Sequence, residues 1–153
     1  MNNLTLTTGY IPATSEKALA KVKTLETEVL KLPQLELCHY HILHGGMYAR
    51  TIRLAAGSVM TGKLIKVATL LIISGDVRVS TEDGYTDFIG YNILAGSANR
   101  QGAFAAITDC DMTMIFPTKA KTIKEAEEEF TDEAHLLVSR RDGAYNPTMI
   151  TGE

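Results

Sequence analysis

Between residues 35 and 116, short runs of aliphatic, β-branched and aromatic residues alternate with turn signals roughly every 8–12 residues. Such a rhythm suits many short strands joined by tight turns, as in a sandwich or jelly-roll barrel. The spacing predicts strands over 35–43, 47–54, 58–60, 64–65, 69–73, 76–80, 85–89, 91–94, 103–108 and 111–116. The breaks between them are Gly45-Gly46, Ala56-Gly57, Ser74-Gly75-Asp76, Glu82-Asp83-Gly84, Gly96-Ser97 and Thr108-Asp109-Cys110. The run Leu70-Leu71-Ile72-Ile73 reads as a middle strand buried on both faces.

Two helical stretches flank this region. Ser15 can cap a helix over 15–32, where Ala18, Leu19, Val22, Leu25, Val29 and Leu30 fall near 3.6-residue spacing. Lys17, Lys21, Lys23, Glu26 and Glu28 occupy its other face, and Pro33 ends it because proline cannot continue the ladder. The apolar stripe is expected to pack on the rest of the chain or on a sister subunit. Residues 1–14, Thr-rich and ending in Ile11-Pro12, read as an extended arm. After Pro117, Thr122 can cap a helix running through Ile123, Ala126, Phe130, Leu136 and Leu137, with a restart at Thr131-Asp132 and Arg140-Arg141 near its C-terminal end. Glu125, Glu127, Glu128 and Glu129 read as a solvated face, or else as an acidic partner patch. The organisation is therefore an arm and helix over 1–34, a β-barrel over 35–117, and a helix and tail over 118–153, in one domain overall.

Composition excludes several classes. With 153 residues, 45% apolar and 22% charged, the chain is neither disordered, collagen-like nor a coiled-coil rod. A net charge of −3 gives no reason to expect nucleic acid, and no apolar run is long enough to span a bilayer. Residues 1–10 lack the basic and apolar regions of a secretory signal, so a cytoplasmic setting is expected. Cys38 and Cys110 are expected as free thiols in that setting.

Three segments carry a family resemblance: Met47-Tyr-Ala-Arg-Thr-Ile-Arg-Leu-Ala-Ala-Gly57, Leu70-Leu-Ile-Ile-Ser-Gly75-Asp76-Val-Arg-Val79 and Gly90-Tyr-Asn-Ile-Leu94-Ala-Gly96-Ser-Ala-Asn99. Together they resemble the two halves of a cupin, and the whole chain is similar to small cupin-like proteins of tailed phages and prophages. The resemblance implies a single jelly-roll β-barrel, with an N-terminal helix and a C-terminal helical segment, that pairs into a dimer or trimer. It also implies where metal ligands would stand. Counting from Gly75 puts Thr61, Lys63 and Ala68 at those positions; counting from Gly57 puts Lys63 and Ile65 there; the second motif's histidine falls at Asn99. None of these makes a His/carboxylate site, so no metal or other cofactor is expected.

Three of the four histidines lie close together. His39 and His41, two apart on a predicted strand, share one face. With His44 beside the Gly45-Gly46 turn they could ligate a metal ion, which is the alternative metal site; otherwise they line a pocket or hydrogen-bond within the sheet. Lys63 occupies a ligand position in either frame, and a fixed ammonium there could hold a carboxylate or phosphate. Arg50 is near it in sequence, Asn99, Arg100 and Gln101 could close the same mouth, and Tyr48 could stack on a flat ligand. The candidate ligand-binding residues are thus Lys63, Asn99, Arg100, Arg50, Tyr48, His39 and His41. The plain alternative puts Lys63 and Lys66 in an exposed loop. No nucleophile motif or phosphate loop occurs, and Asp109 and Asp111 beside Cys110 would raise that thiol's pKa.

Three functions follow from these residues and the resemblance. One is a non-catalytic, metal-free module binding a small anionic or nucleotide-like ligand, sequestering a host signal in a phage setting. Its mark is Lys63, Asn99 and the histidines converging on one enclosed cavity. The second is a virion or assembly protein with phage structural partners and homo-oligomer contacts, its interior filled by Leu70, Ile72, Met60 and Phe104. The third is a metal-independent epimerase or lyase using His39 or His41 with Tyr48 for proton transfer, which needs such a pair within hydrogen-bond reach and open to solvent.

Overall fold

The computed structural model describes residues 9–34 and 36–153. Its elements run β1 (Gly9–Ile11), α1 (Glu16–Val29), β2 (His39–His44), β3 (Met47–Leu54), β4 (Val59–Thr61), β5 (Thr69–Ser74), β6 (Val77–Thr81), β7 (Gly84–Phe88), β8 (Tyr91–Gly96), β9 (Ala103–Ala106), β10 (Cys110–Pro117), α2 (Ile123–Phe130) and β11 (Thr148–Ile150), with 3-10 turns at Ala134–Leu136 and Val138–Arg140. The strands form a seven-stranded sheet in the order β1-β8-β5-β10-β3-β2-β11 and a four-stranded sheet in the order β4-β9-β6-β7. The two sheets do not close into a hydrogen-bonded barrel; the fold is a mostly β jelly-roll sandwich.

Period-two alternation builds the core. Tyr48 and Leu54 of β3, Leu71 and Ile73 of β5, Leu94 of β8 and Met112, Met114 and Phe116 of β10 face inward from the large sheet, against Val77 and Val79 of the small one. The turn between β5 and β6 needs Gly75, at φ 119°, because a Cβ there would stand 2.5 Å from the carbonyl oxygen of Asp109. The run at 70–73 is a middle strand, between β8 and β10, but not one buried on both faces. Leu71 and Ile73 are buried while Leu70 is 50% exposed, because the large sheet has the small sheet on one side only.

Several boundaries differ from the sequence expectation. The strand expected from residue 35 begins at His39; Leu35 and residues 1–8 lie outside the described residues. At 64–65 there is only an isolated bridge between Ile65 and Arg100. The arm supplies β1, parallel to β8, and the tail supplies β11, parallel to β2, one at each edge of the large sheet. The α1 helix is capped as expected, Ser15 Oγ accepting from the N–H of Ala18, and ends at Val29 before Pro33. The second helix stops at Phe130, not beyond Leu137, because the N–H of Lys66 takes the Phe130 carbonyl at 2.7 Å and Thr131 turns extended. Among the described residues, no helix is long and apolar enough to cross a membrane.

Candidate functional site

A cavity of about 930 Å3 lies between the sheets. Its inner wall is apolar, with Leu54, Met112 and Met114 on the large sheet and Val79, Phe88 and Phe104 on the small one. Met60 and Phe104, expected to fill the interior of a purely structural protein, are only partly buried and line this space, while Leu70 and Ile72 face away from it. Helix α1 packs on β4 and β9 and contributes Ala18, Val22, Glu26 and Val29 to the lining. Val22 is its one buried residue, and polar bonds add to its hold. Lys21 Nζ donates to the carbonyls of Thr81 and Gly84, and Ser15 Oγ donates to Glu82. Glu26 sits 3.5 Å from Lys63 Nζ at the cavity wall, and Gln101 Nε2 donates to the Gly62 carbonyl beside them. That bond fixes the orientation of the Gln101 amide and leaves its buried Oε1 without a partner.

Arg100 also lines the cavity and is 5% exposed. Asn99, at φ 62°, makes the left-handed step just before it, with the Asn99 N–H held by the Ile65 carbonyl. The guanidinium then lies over Gly96, where a Cβ would come within 2.6 Å of Arg100 Cζ. It donates to the Ser97 carbonyl at 2.8 Å and to Thr69 Oγ1 at 2.5 Å. No carboxylate pairs with it among the described residues, and the remaining ones, residues 1–8 and Leu35, include no Asp or Glu. Burial pulls its pKa down to about 10.

Arg50, on the same inner face, is in the opposite situation. Its Nη1 donates to Glu127 Oε2 at 2.7 Å and its Nη2 to Ser139 Oγ at 3.0 Å, while Ser139 Oγ–H and Arg140 Nε also donate to the Glu127 carboxylate. Burial alone would raise the Glu127 carboxyl, but the donors from Ser139, Arg140 and Arg50 outweigh it and hold it below its ordinary value. From Arg50 a directed chain runs outward. Arg50 can only donate, to Tyr48 Oη; Tyr48 O–H donates to His41 Nδ1 at 2.7 Å; His41 Nε2–H donates to Asn146 Oδ1 at 2.7 Å; Asn146 Nδ2 donates to the Ser139 carbonyl. A second proton on His41 would face the Tyr48 hydroxyl and break this chain, and burial lowers the His41 pKa in the same sense. Burial, and then the charge of Arg50, lowers His39 to about 4.

The expected binding residues therefore separate. Lys63, Arg100 and His39 reach the cavity. Arg50 reaches it with its charge already matched by Glu127. Tyr48 is fully buried in the core, packed edge-on to Phe116, and is no stacking platform. His41 points inward but is enclosed between Tyr48 and Asn146. Asn99 is exposed and acts through its backbone. His44, three residues from His41 on the same strand, faces the opposite side and meets Thr151. Strand alternation thus separates the His39, His41 and His44 trio, and among the described residues no three His, Cys, Asp or Glu side chains converge as metal ligands. At the positions where the resemblance places metal ligands, an ammonium facing Glu26, an exposed amide and an alanine do not fit a metal ion. His41 and Tyr48 do form a titratable pair within hydrogen-bond reach, but both are buried with their outer partners taken. Lys66 is in a surface ion pair with Asp132.

Two residues read from sequence as surface charges belong to these sites. Glu127 is buried, not solvated, and Glu26 is tucked against Lys63. Both carried a signal: Glu127 is four residues after Ile123 and three before Phe130, and Glu26 is four after Val22 and three before Val29, so each interrupts an apolar helical stripe.

No protein-family model matches the chain, and no curated protein matches it. Solved structures of similar shape include a cupin-2 domain containing protein from Shewanella frigidimarina, at 10% identity and TM-score 0.44 over 60% of this chain and 91% of that one. A cupin superfamily protein from Desulfitobacterium hafniense matches at 15% identity and TM-score 0.47, over 71% and 95% of the two chains. The ectoine synthase of P. lautus matches at 14% identity and TM-score 0.48, over 65% and 76%. The fold class stands on this chain's own strand order: mostly β, two facing jelly-roll sheets, with one helix before the β region and one after it.

Proposed function

We propose that this protein is a non-catalytic binder that takes a small anionic molecule, without a metal, into the cavity between its sheets. Arg100 carries this reading. A buried guanidinium without a carboxylate is costly, and one set in the wall of a cavity gains its counter-charge when an anion enters. Lys63 stands at the same wall, held by Glu26. The family resemblance supplies a setting: a phage-encoded protein of the host cytoplasm that withdraws a host molecule by binding it.

The test is a titration with 8-anilinonaphthalene-1-sulfonate, an apolar body with one sulfonate, followed by fluorescence. Wild type is expected to bind one equivalent, and Arg100→Met to bind at least roughly ten-fold more weakly with an unchanged circular dichroism spectrum. Equal affinity in the two proteins removes Arg100 as the anchor, and no saturable binding removes the cavity as a site.

One observation favours an assembly role beside this. Tyr10, Ala95, Leu70, Ile115, Ala49, Ile42 and Met149 stand in register across all seven strands of the large sheet, on the face away from the small one. Tyr10, Leu70, Ile42 and Met149 are 65%, 50%, 44% and 60% exposed. A continuous apolar row of this kind suits a second copy laid sheet to sheet. Sedimentation should then give a dimer that Leu70→Lys with Ile42→Lys turns into a monomer; a monomeric wild type at all concentrations ends this second role.

A further inference from the structure

We infer that the ligand is a monocarboxylate with an apolar body, such as a medium-chain or aromatic acid, and not a nucleotide; this rests on the binding role proposed above. The charges around the cavity set the number of negative charges it can take. Lys63 faces Glu26 at 3.5 Å, and Arg50 is matched by Glu127 at 2.7 Å. His39 donates from Nδ1 to the Leu37 carbonyl, and burial keeps its pKa down at about 4, so it brings no charge near neutral pH. Arg141 also lines the cavity but is exposed, with its charge in water; among the buried cations of the wall Arg100 alone lacks an acid, so one negative charge is compensated in the interior and a second would be buried unpaired.

The donors agree with one headgroup. Arg100 uses one N–H of each terminal nitrogen, on Ser97 and Thr69, and a guanidinium has five N–H groups in a planar fork. Those left over suit a carboxylate's two oxygens. The rest of the wall suits an apolar body. Met112 and Met114 on the large sheet and Met60 on the small one bring unbranched, polarizable side chains that adapt to irregular shapes, and Phe104 and Val79 lie on the small sheet with Met60. A nucleotide would carry a sugar, a polar base and a dianionic phosphate into this surface. Tyr48, the ring expected from sequence to stack on a flat ligand, is sealed in the core; the rings that do line the wall, Phe88 and Phe104, add to its apolar surface.

Isothermal titration separates these classes with three probes: octanoate, octan-1-ol and adenosine 5′-monophosphate. Wild type is expected to bind octanoate one to one, octan-1-ol at least roughly ten-fold more weakly, and the nucleotide weakest. Arg100→Met should bring octanoate down to the level of octan-1-ol. Octanol binding as well as octanoate overturns the carboxylate assignment without need of any variant, so the test survives a misfolded Arg100→Met. Nucleotide binding tighter than octanoate overturns the class but leaves an anion-binding cavity standing. If no probe binds, and 8-anilinonaphthalene-1-sulfonate does not bind either, the binding role fails and this inference with it.

Discussion

Arg50 and Arg100 are both buried on the inner side of the same sandwich, at 4% and 5% exposure, yet their surroundings differ in kind. Around Arg50, α2 and the 3-10 turn at Val138–Arg140 bring Glu127, Ser139 and Arg140 together, and both terminal nitrogens of Arg50 have acceptors. Around Arg100 there are a carbonyl and a hydroxyl but no acid, and a glycine that clears the space. A closed charge network ties elements together; an open one costs stability unless something outside the chain closes it. The Arg50 end is closed by residues of this chain, and the Arg100 end is where the proposed anion would supply the missing charge.

The largest effect should come from breaking the closed network. Glu127→Ala leaves Arg50 buried without its acid and should cost about 3–5 kcal/mol, read as a lower urea midpoint. A loss under about 1 kcal/mol would show that this end is no more closed than the other. Acid should act next. His39 has a folded pKa of about 4 against an ordinary 6.5, so between those values the unfolded chain takes up a proton that the folded chain refuses. Stability should be full above about pH 6.5 and fall as pH drops toward about 4, with His41 adding in the same direction and Arg50, the cation nearby, reinforcing it. Urea midpoints at about pH 7.5 and about pH 4.5 should differ in wild type and differ less in His39→Gln; parallel acid limbs would place the titration elsewhere.

Arg100→Met sharpens the contrast from the other side. Removing a buried charge that has no acid should leave stability within about 1 kcal/mol of wild type, or raise it, while anion binding is lost. A loss as large as that of Glu127→Ala would mean that Arg100 is as structural as Arg50. The smallest effect is expected at Glu26→Ala. One partly buried pair, to Lys63, and one long hydrogen bond from Gln101 Nε2 are broken, so thermal stability should fall by under about 1 kcal/mol. Freed of its acid, Lys63 becomes a second cation at the wall, and anion affinity should rise; a fall would show that Glu26 shapes the site rather than restraining Lys63.

The histidine strand shows how far the residues alone reach. His39 and His41 share a face because strand side chains alternate, and that was legible. The same alternation sets His44 on the other face, where it cannot join them. The apolar run at 70–73 was legible as a middle strand, but four aliphatics in a row have no period, so nothing in them says that Leu70 and Ile72 face outward. Arg100 was legible as a candidate from its place after Gly96, whereas its lack of an acid depends on residues tens of positions away. The acids Glu26 and Glu127 were hidden because charge-rich helices usually turn such residues to solvent, although both sit on an apolar stripe.

By itself the sequence determined the local elements: short strands broken by turns, a helix started by Ser15 and stopped before Pro33, a second started by Thr122. These follow from dihedral preferences, caps and side-chain period, all of which act over a few residues. Only the tertiary structure decided that Glu127 meets Arg50 across 77 positions, that Tyr48 is sealed in the core, and that Arg100 stands in a cavity wall with no acid beside it. Charge pairing and enclosure depend on which surfaces come together in space. For this chain that is set by two sheets folding face to face, with α1 laid against the small one.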